Sequence, residues 1–311
     1  MKKTLIASAI ATLAVVPATQ AAVKISGQLN QAVILDSDLD DIEVVDNNHS
    51  GSRFRFRADK EFGGLKTGLR YELQAQSNNS TSGEDGLIQE VRYSDVWLSG
   101  DFGKISIGRG NSASEGSFES HGVLGHYLAQ DLTWLAVNSS LNEENRIAYR
   151  SIDGFSRANR VRYDSPNFSG FKFAVAQLNS GITDFGVSYN GKIGGGKLRF
   201  RAGVADGDTP TDDRTSLSAA YQTSFGLGVG YSYAENDDDF DTDWATVSWN
   251  FGGKYVLSFG TGEDSNNNDQ TVVGLNYKPI KGVEIYLNTV TADNASGTEA
   301  DATYLGSRVK F

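Results

Sequence analysis

The sequence predicts an all-β fold, a transmembrane antiparallel β-barrel of about sixteen strands. Apolar and polar residues alternate with a period of two through most of the chain after residue 21, which indicates strands with two different faces. The alternating runs are roughly 9–11 residues long, the length of a tilted membrane strand. Their connections alternate between short and long, as they do at the two ends of a membrane barrel.

The first 21 residues have the pattern of a secretory signal peptide. Lys2 and Lys3 precede an apolar stretch over residues 5–16, and Ala21 stands at a small-residue cleavage position. An uncleaved membrane anchor is the alternative, but the apolar stretch is short for one. We therefore expect residues 1–21 to be removed and residues 22–311 to form one barrel domain.

The strand pattern begins at Val23 and returns along the whole chain. In residues 52–60, Phe54, Phe56 and Ala58 alternate with arginines. The same alternation is found in residues 66–76, 197–204, 246–251, 255–259, 273–277 and 283–287. Each run indicates a strand with one apolar face.

The connections between these runs are of two kinds. Short Gly-rich connections occur at residues 61–64, 100–103, 166–170, 224–226, 251–253 and 279–282. Longer acidic or Asn-rich connections occur at residues 36–50, 77–89, 206–213, 235–241 and 263–269. The longest interruption, at residues 110–156, would be unusual in a compact domain unless it has a function.

Composition limits the function. The chain has 311 residues, no Cys, and 28 Lys and Arg against 39 Asp and Glu, for a formal net charge of −11. An acidic chain is poorly suited to nucleic acid, and a chain without Cys has neither disulfides nor thiolate metal sites. A mean hydropathy of −0.37 fits a barrel whose apolar half faces lipid and whose polar half faces an aqueous interior.

A soluble β-sandwich or propeller would also have period-two strands. Three features favour the membrane barrel. Aromatic residues concentrate near the strand ends, the polar face carries consecutive charged residues, and the chain ends in Phe311 on the same parity as Leu305 and Val309.

Several segments resemble the general porins of Gram-negative outer membranes. They are residues 52–56, 61–66, 96–103, 107–109, 162–171 and 304–311. The resemblance implies a homotrimer, exported through the periplasm to the cell outer membrane, with short periplasmic turns, long extracellular loops and a long third loop folded into the lumen. It also implies that the barrel assembly machinery reads Phe311.

A porin of this kind is a water-filled channel for passive diffusion of small hydrophilic solutes and ions, surrounded by outer-membrane lipid and lipopolysaccharide. One alternative is a substrate-selective channel for a sugar or an anion. Trp97, Trp244 and Tyr286 lie on the polar parity, but they are too scattered to establish a sugar track. The other alternative is a barrel without a channel, used as an adhesin or a surface hydrolase.

The resemblance also implies a pore constriction. Residues 110–156 are the segment expected to fold inward, with the acidic candidates Glu115, Glu119 and Asp131. The expected basic wall consists of Arg53, Arg55, Arg109, Arg160 and Arg162. The sequence departs from the family pattern in two respects. Arg109 shares the parity of Ile105 and Ile107, and the loop lacks a clean Pro-Glu-Phe-Gly-Gly segment.

Motifs for catalysis are weak. Residues 191–197 have Walker A spacing up to Lys197, but a strand follows where a phosphate loop needs a helix. His49, His121 and His126 pair with no nucleophile at a recognisable spacing. We therefore expect neither enzymatic activity nor a cofactor.

The acidic loops are expected to be solvated. Loosely bound divalent cations are the alternative, with candidate ligands Asp36, Asp38, Asp237 and Asp239. Because acidic mouths concentrate cations, the sequence predicts a weak cation preference.

Overall fold

The computed structural model describes residues 22–36, 42–47, 50–77, 86–120, 152–179, 181–207, 212–297 and 299–311. The predicted signal peptide, residues 1–21, lies outside these ranges. Among the described residues, none forms a helix long and apolar enough to span a membrane.

The described chain consists of strand segments joined by turns and loops. The segments are β1 (Ala22–Asp36), β2 (Glu43–Asp46), β3 (Arg53–Phe62), β4 (Leu65–Gln76), β5 (Gly86–Gly100), β6 (Gly103–Asn111), β7 (Arg157–Asp164), β8 (Phe171–Leu178), β9 (Thr183–Ile193), β10 (Gly196–Asp206), β11 (Arg214–Gln222), β12 (Leu227–Asn236), β13 (Asp241–Phe251), β14 (Tyr255–Glu263), β15 (Asp269–Tyr277), β16 (Val283–Asp293) and β17 (Glu299–Lys310).

The segments form one closed antiparallel sheet. β1 pairs with β17 through residues 28–36 and with β3 through residues 22–28. β2 pairs with residues 31–34 of β1 on the same side as β3, so β2 and β3 occupy one wall position interrupted at residues 47–52. The 17-stranded sheet is therefore a barrel with 16 wall positions, which confirms the predicted fold.

The two faces of each strand follow the period of two in the sequence. On β14, Tyr255, Leu257 and Phe259 point outward and are 39%, 45% and 46% exposed, whereas Val256 and Ser258 point inward and are 2% exposed. The outward apolar face is the one that meets lipid in a membrane barrel.

A row of aromatic rings lies beside the short turn at residues 252–254. The ring centroids of Trp249 and Phe251 are 4.8 Å apart, those of Phe251 and Tyr255 are 5.3 Å apart, and those of Tyr255 and Tyr277 are 4.9 Å apart. Such aromatic girdles mark the boundary between the apolar band and water, which places that boundary at the short-turn end.

Phe311 joins the end of β17 to β1 and closes the barrel. The Phe311 and Gly27 backbones exchange two hydrogen bonds, of 3.1 and 3.0 Å, and the Phe311 ring lies edge-on to Phe54 with centroids 6.0 Å apart. A Cβ at position 27 would overlap the Phe311 ring. Phe311 therefore has a structural role in barrel closure, whereas its reading by the assembly machinery stays a prediction.

The inner wall is not polar throughout, in contrast to the aqueous interior that the alternation predicts. An apolar belt of buried side chains lies on the inner face of β12, β13, β15, β16, β17, β1 and β2. It comprises Ala32, Ile34, Val45, Ala234, Trp244, Val272, Tyr286, Val290, Ala302 and Tyr304, with Phe118 and Ile152 packed on it. The residues of the belt point into the barrel but are covered by one another and by the loop, so these apolar side chains are not exposed to water.

Candidate pore constriction

A group of arginines lines the inner wall of β3–β5, opposite in sequence parity to the lipid-facing phenylalanines. The buried carboxylate of Glu72 lies at its centre. Glu72 Oε1 is 3.6 Å from Arg53 Nη1 and 3.1 Å from Arg92 Nε, and Glu72 Oε2 accepts a hydrogen bond from Arg55. Three guanidinium groups therefore share one carboxylate, and this part of the wall keeps a positive charge.

A second carboxylate continues the group towards β7. Asp95 Oδ2 is 3.2 Å from Arg70 Nη2 and 3.0 Å from Arg160 Nη2. Arg70 also donates from Nε to Asp95 Oδ1 over 3.2 Å, in a two-bond geometry that fixes both planes. The guanidinium carbon of Arg70 lies 3.4 Å from the centroid of the Tyr93 ring, so Arg70 is held by both Asp95 and Tyr93.

A β-bulge brings Arg92 into the group. In the β4–β5 register Glu72 pairs with Tyr93 and Leu73 pairs with Val91, which leaves Arg92 without a register partner. A bulge re-aims a side chain, and here Arg92 Nη1 donates to Gln74 Oε1 over 2.7 Å, in addition to its bond with Glu72.

Arg109 lies at the loop end of β6, directly after Gly108. It pairs in register with Ser94, on the parity that the sequence had indicated, and Gly108 has a φ of 121°. Its guanidinium donates to Glu90 Oε1 over 2.8 Å and to the Val91 carbonyl over 2.6 Å. Arg109 therefore binds the loop end of β5 and not the group around Glu72.

Arg160 and Arg162, on β7, hold the base of the long loop. Arg160 donates to the carbonyls of Asn111 over 2.9 Å and of Gly108 over 2.8 Å. Arg162 Nη2 is 2.6 Å from Asp164 Oδ1, and its Nη1 donates to the Ser112 carbonyl. Both side chains thus fix the backbone where β6 passes into the loop.

The described parts of the loop, residues 112–120 and 152–156, lie against the inner wall of β9–β11. Asp184 Oδ2 accepts hydrogen bonds from the backbone N–H of Ser114 over 2.7 Å and from its hydroxyl over 2.8 Å. Arg201 donates to the Gly116 carbonyl over 2.7 Å, and Arg214 donates to the Gly154 carbonyl over 3.0 Å. These bonds anchor both ends of the loop to one side of the barrel.

Close approach of the loop requires glycine on β9. A Cβ at Gly186 would overlap the carbonyl oxygen of Ala113. A cavity of about 330 Å³ remains between the loop and the wall, with Glu115, Arg162, Lys172 and Arg201 among its lining residues.

Three acidic side chains gather at the loop base. Asp153 accepts backbone hydrogen bonds from Gly116 over 3.0 Å and from Phe118 over 2.9 Å. Glu119 Oε2 is 3.6 Å from Arg201 Nη1, and Glu115 accepts a hydrogen bond from Asn111. The third acidic candidate, Asp131, and the histidines at 49, 121 and 126 lie outside the described residues.

Burial raises the pKa of Glu115 to about 7, and the neighbouring Glu119 adds to the effect. Burial also raises the pKa of Asp153 well above its ordinary value, and Glu119 and Glu115 act in the same direction. The two backbone bonds to Asp153 oppose the shift without reversing it. The loop base therefore carries less negative charge at neutral pH than its three carboxyl groups indicate.

Five residues of the site were not predicted from the sequence: Glu72, Arg92, Asp95, Asp153 and Asp184. Glu72 was detectable, since it lies on the polar parity of its strand and faces Arg55 in the β3–β4 register. Arg92 required the bulge, and Asp184 binds a residue 70 positions away in sequence, so no local pattern marks either of them.

The acidic candidates for divalent cations are dispersed. Asp237 and Asp239 are exposed in the turn after β12, Asp36 ends β1, and Asp38 lies outside the described residues. No group of three or more metal-type ligands occurs in the described part of the chain. Residues 191–197 form the hairpin between β9 and β10.

Comparison with known proteins identifies the family of this barrel. The family model described as Gram-negative porin matches residues 6–262. No curated protein sequence matches the chain. Solved structures with this fold include the anion-selective porin from Comamonas acidovorans, with 16% identity, a TM-score of 0.64, and coverage of 94% of this chain and 100% of that chain.

Two further structures are similar. One is a loop-deletion variant of the outer membrane protein OmpT of Vibrio cholerae, with 18% identity, a TM-score of 0.62 and coverage of 94% of this chain and 100% of that one. The other is a variant of the Rh. blastica porin, with 14% identity, a TM-score of 0.66 and coverage of 93% of this chain and 100% of that one.

The closed barrel with its charged inner wall defines an outer-membrane channel. The chain belongs to the Gram-negative porin family, because the family model matches more than half of its length. It is accordingly an outer-membrane porin, as the resemblance in the sequence had implied.

Proposed function

We propose that this porin is an anion-preferring diffusion channel for small hydrophilic solutes. The observation that carries the proposal is the charge of the inner wall of β3–β10. Its cations are Arg53, Arg55, Arg57, Lys66, Arg70, Arg92, Lys104, Arg160, Arg162, Lys172, Lys192, Lys197, Arg199 and Arg201. Its acids are Asp59, Glu61, Glu72, Glu90, Asp95, Asp164 and Asp184.

The wall charge outweighs the loop acids as well. Adding Glu115, Glu119 and Asp153 still leaves the cations in excess, and the raised pKa of Glu115 reduces the negative contribution further. A charge lining a narrow, low-dielectric passage acts on an ion more strongly than a charge on the open rim. The positive wall therefore favours anions, in contrast to the weak cation preference that the acidic mouths predict. The fold of the anion-selective Comamonas porin is compatible with it.

The solute path is proposed to follow the charged side of the bore. In the apolar belt on β12–β2, the polar atoms of Trp244 and Tyr286 are already hydrogen-bonded within the wall, whereas the wall of β3–β10 presents charged groups. Passage is downhill and requires no chemical step, so we propose a channel and not an enzyme. A homotrimer is part of this proposal, as is assembly through Phe311.

Liposome swelling tests the proposal. Vesicles containing the refolded protein should admit small neutral and anionic solutes, and should admit an anionic sugar acid faster than an amino sugar of the same size. Vesicles without protein are the control. Failure to admit any of these solutes would exclude the channel, and faster entry of the amino sugar would exclude the anion preference.

A further inference from the structure

A separate charged recess lies on the inner wall of β3–β6, near the short-turn end of the barrel. Its volume is about 360 Å³, and its lining includes Arg57, Arg70, Asp95, Trp97 and Lys104. Asp95 contacts Arg160, but the residues that line this recess and those that line the cavity beneath the loop do not overlap. The recess is therefore distinct from the cavity beneath the loop.

The indole of Trp97 is fixed in this recess. Trp97 on β5 lies directly opposite Gly68 on β4, and a Cβ at Gly68 would overlap the six-membered ring. The ring thus packs against bare backbone, and it stays partly exposed. An aromatic surface on the inner wall of a polar channel has no lipid to meet, so it is free to contact a solute.

The charges around the ring are unequally compensated. Arg70 is bonded to Asp95 through two contacts of 3.2 Å, and Asp59 is 3.2 Å from Lys66. Arg57 and Lys104 form no ion pair with the described residues. Lys104 Nζ lies 5.6 Å from the centroid of the Trp97 ring. The recess thus combines one aromatic ring with two cations that interact with Asp95 only at longer range than an ion pair.

We propose that this recess binds small aromatic carboxylates as they pass through the channel. The aromatic ring of the solute contacts Trp97, and its carboxylate pairs with Arg57 and Lys104. A neutral sugar would use the ring but leave both cations without a partner, and an inorganic anion would use the cations but not the ring. The inference rests on the proposed channel, and it names a solute class for it.

Transient block in planar bilayers tests the inference on the full barrel. Benzoate, acetate, benzamide and glucose would be added separately at equal concentration and ionic strength. A ring contact of about 1 kcal/mol corresponds to about a fivefold difference in affinity. We expect benzoate to block about fivefold more tightly than acetate, and more tightly than benzamide and glucose.

Variants assign the effect to the recess. Trp97→Leu should abolish the preference for benzoate over acetate, and Arg57→Gln should reduce the preference for benzoate over benzamide. Lys254→Gln is the control, because Lys254 is an exposed lysine of the short turn at residues 252–254, outside both the recess and the wall of β3–β10, and it should retain both preferences.

Four results would overturn the inference. They are benzoate block no tighter than acetate block, equal block by glucose, retention of both preferences in the Trp97 and Arg57 variants, and equal loss in Lys254→Gln. The wild-type solute series decides the matter even if a variant fails to fold. Currents without a benzoate preference overturn this inference alone, whereas the absence of any current overturns the proposed function.

Discussion

At the residue scale, the inner wall is organised by the ratio of guanidinium groups to carboxylates. Glu72 contacts Arg53, Arg55 and Arg92, and Asp95 contacts Arg70 and Arg160. Each carboxylate orients several arginines while neutralising only one charge. The arginines are thereby held in place, and the wall stays positive.

The titration of Glu115 predicts a pH-dependent selectivity. Its pKa is raised to about 7 from 4.5, so its carboxyl group is neutral below that pH and charged above it. The cations that influence it are Arg157, Arg162 and Arg201, and the acids are Glu119 and Asp153. We expect the anion preference to decrease as the pH rises through 7, measured as the zero-current potential at a series of pH values.

Glu115→Gln should remove most of this dependence, and Glu61→Gln, which replaces an exposed glutamate on β3, should retain it. An unchanged pH profile in Glu115→Gln would contradict the assignment.

The raised pKa of Glu115 also makes the stability of the protein depend on pH. Because the folded state binds this proton more tightly than the unfolded chain, the free energy of unfolding should decrease as the pH rises from 4.5 to 7.

The alternation of apolar and polar residues predicted which side chains face the interior, but it did not predict which groups those side chains contact. The alternation of Arg53 and Arg55 with phenylalanines placed both arginines on the inner face. The same alternation could not show that Arg160 and Arg162 donate to loop carbonyls, because those bonds join residues about 50 positions apart in sequence. A basic residue predicted to line a wall can therefore also hold the backbone.

At the element scale, the strands were predictable and their irregularities were not. The alternation of apolar and polar residues that defines the two faces of a strand is visible within about ten consecutive residues. The interruption between β2 and β3 and the bulge at Arg92 depend on the register with a neighbouring strand, which no single segment encodes. The bulge matters for the site, since it adds a third arginine to Glu72.

Asp184, on β9, is one of the groups that hold the start of the long loop. Asp184→Ala removes both hydrogen bonds to Ser114, so the amides of residues 112–118 should exchange hydrogen at least about fivefold faster, since each bond contributes about 1 kcal/mol. Hydrogen exchange read by mass spectrometry provides the measurement. Ser188→Ala on the same strand is the control and should leave exchange unchanged. Equal protection in Asp184→Ala would show that other contacts hold the loop.

At the scale of the whole molecule, the bore has two unlike sides. One side, on β3–β10, carries the excess of cations, and the other carries the apolar belt on which Phe118 and Ile152 pack, together with buried polar side chains and the Arg308–Glu284 ion pair. The net charge of −11 conceals this division, because composition cannot distinguish an acid on the rim from an arginine on the inner wall. The barrel was predictable from sequence, whereas the side of the bore that solutes follow required the register of every strand.

The zero-current potential of the wild-type channel across a KCl gradient at neutral pH tests the central claim most directly. The positive wall of β3–β10 predicts a potential whose sign shows chloride to be more permeant than potassium. A potential of the opposite sign would show that the acidic rim and loop govern selectivity, and would contradict this account of the pore.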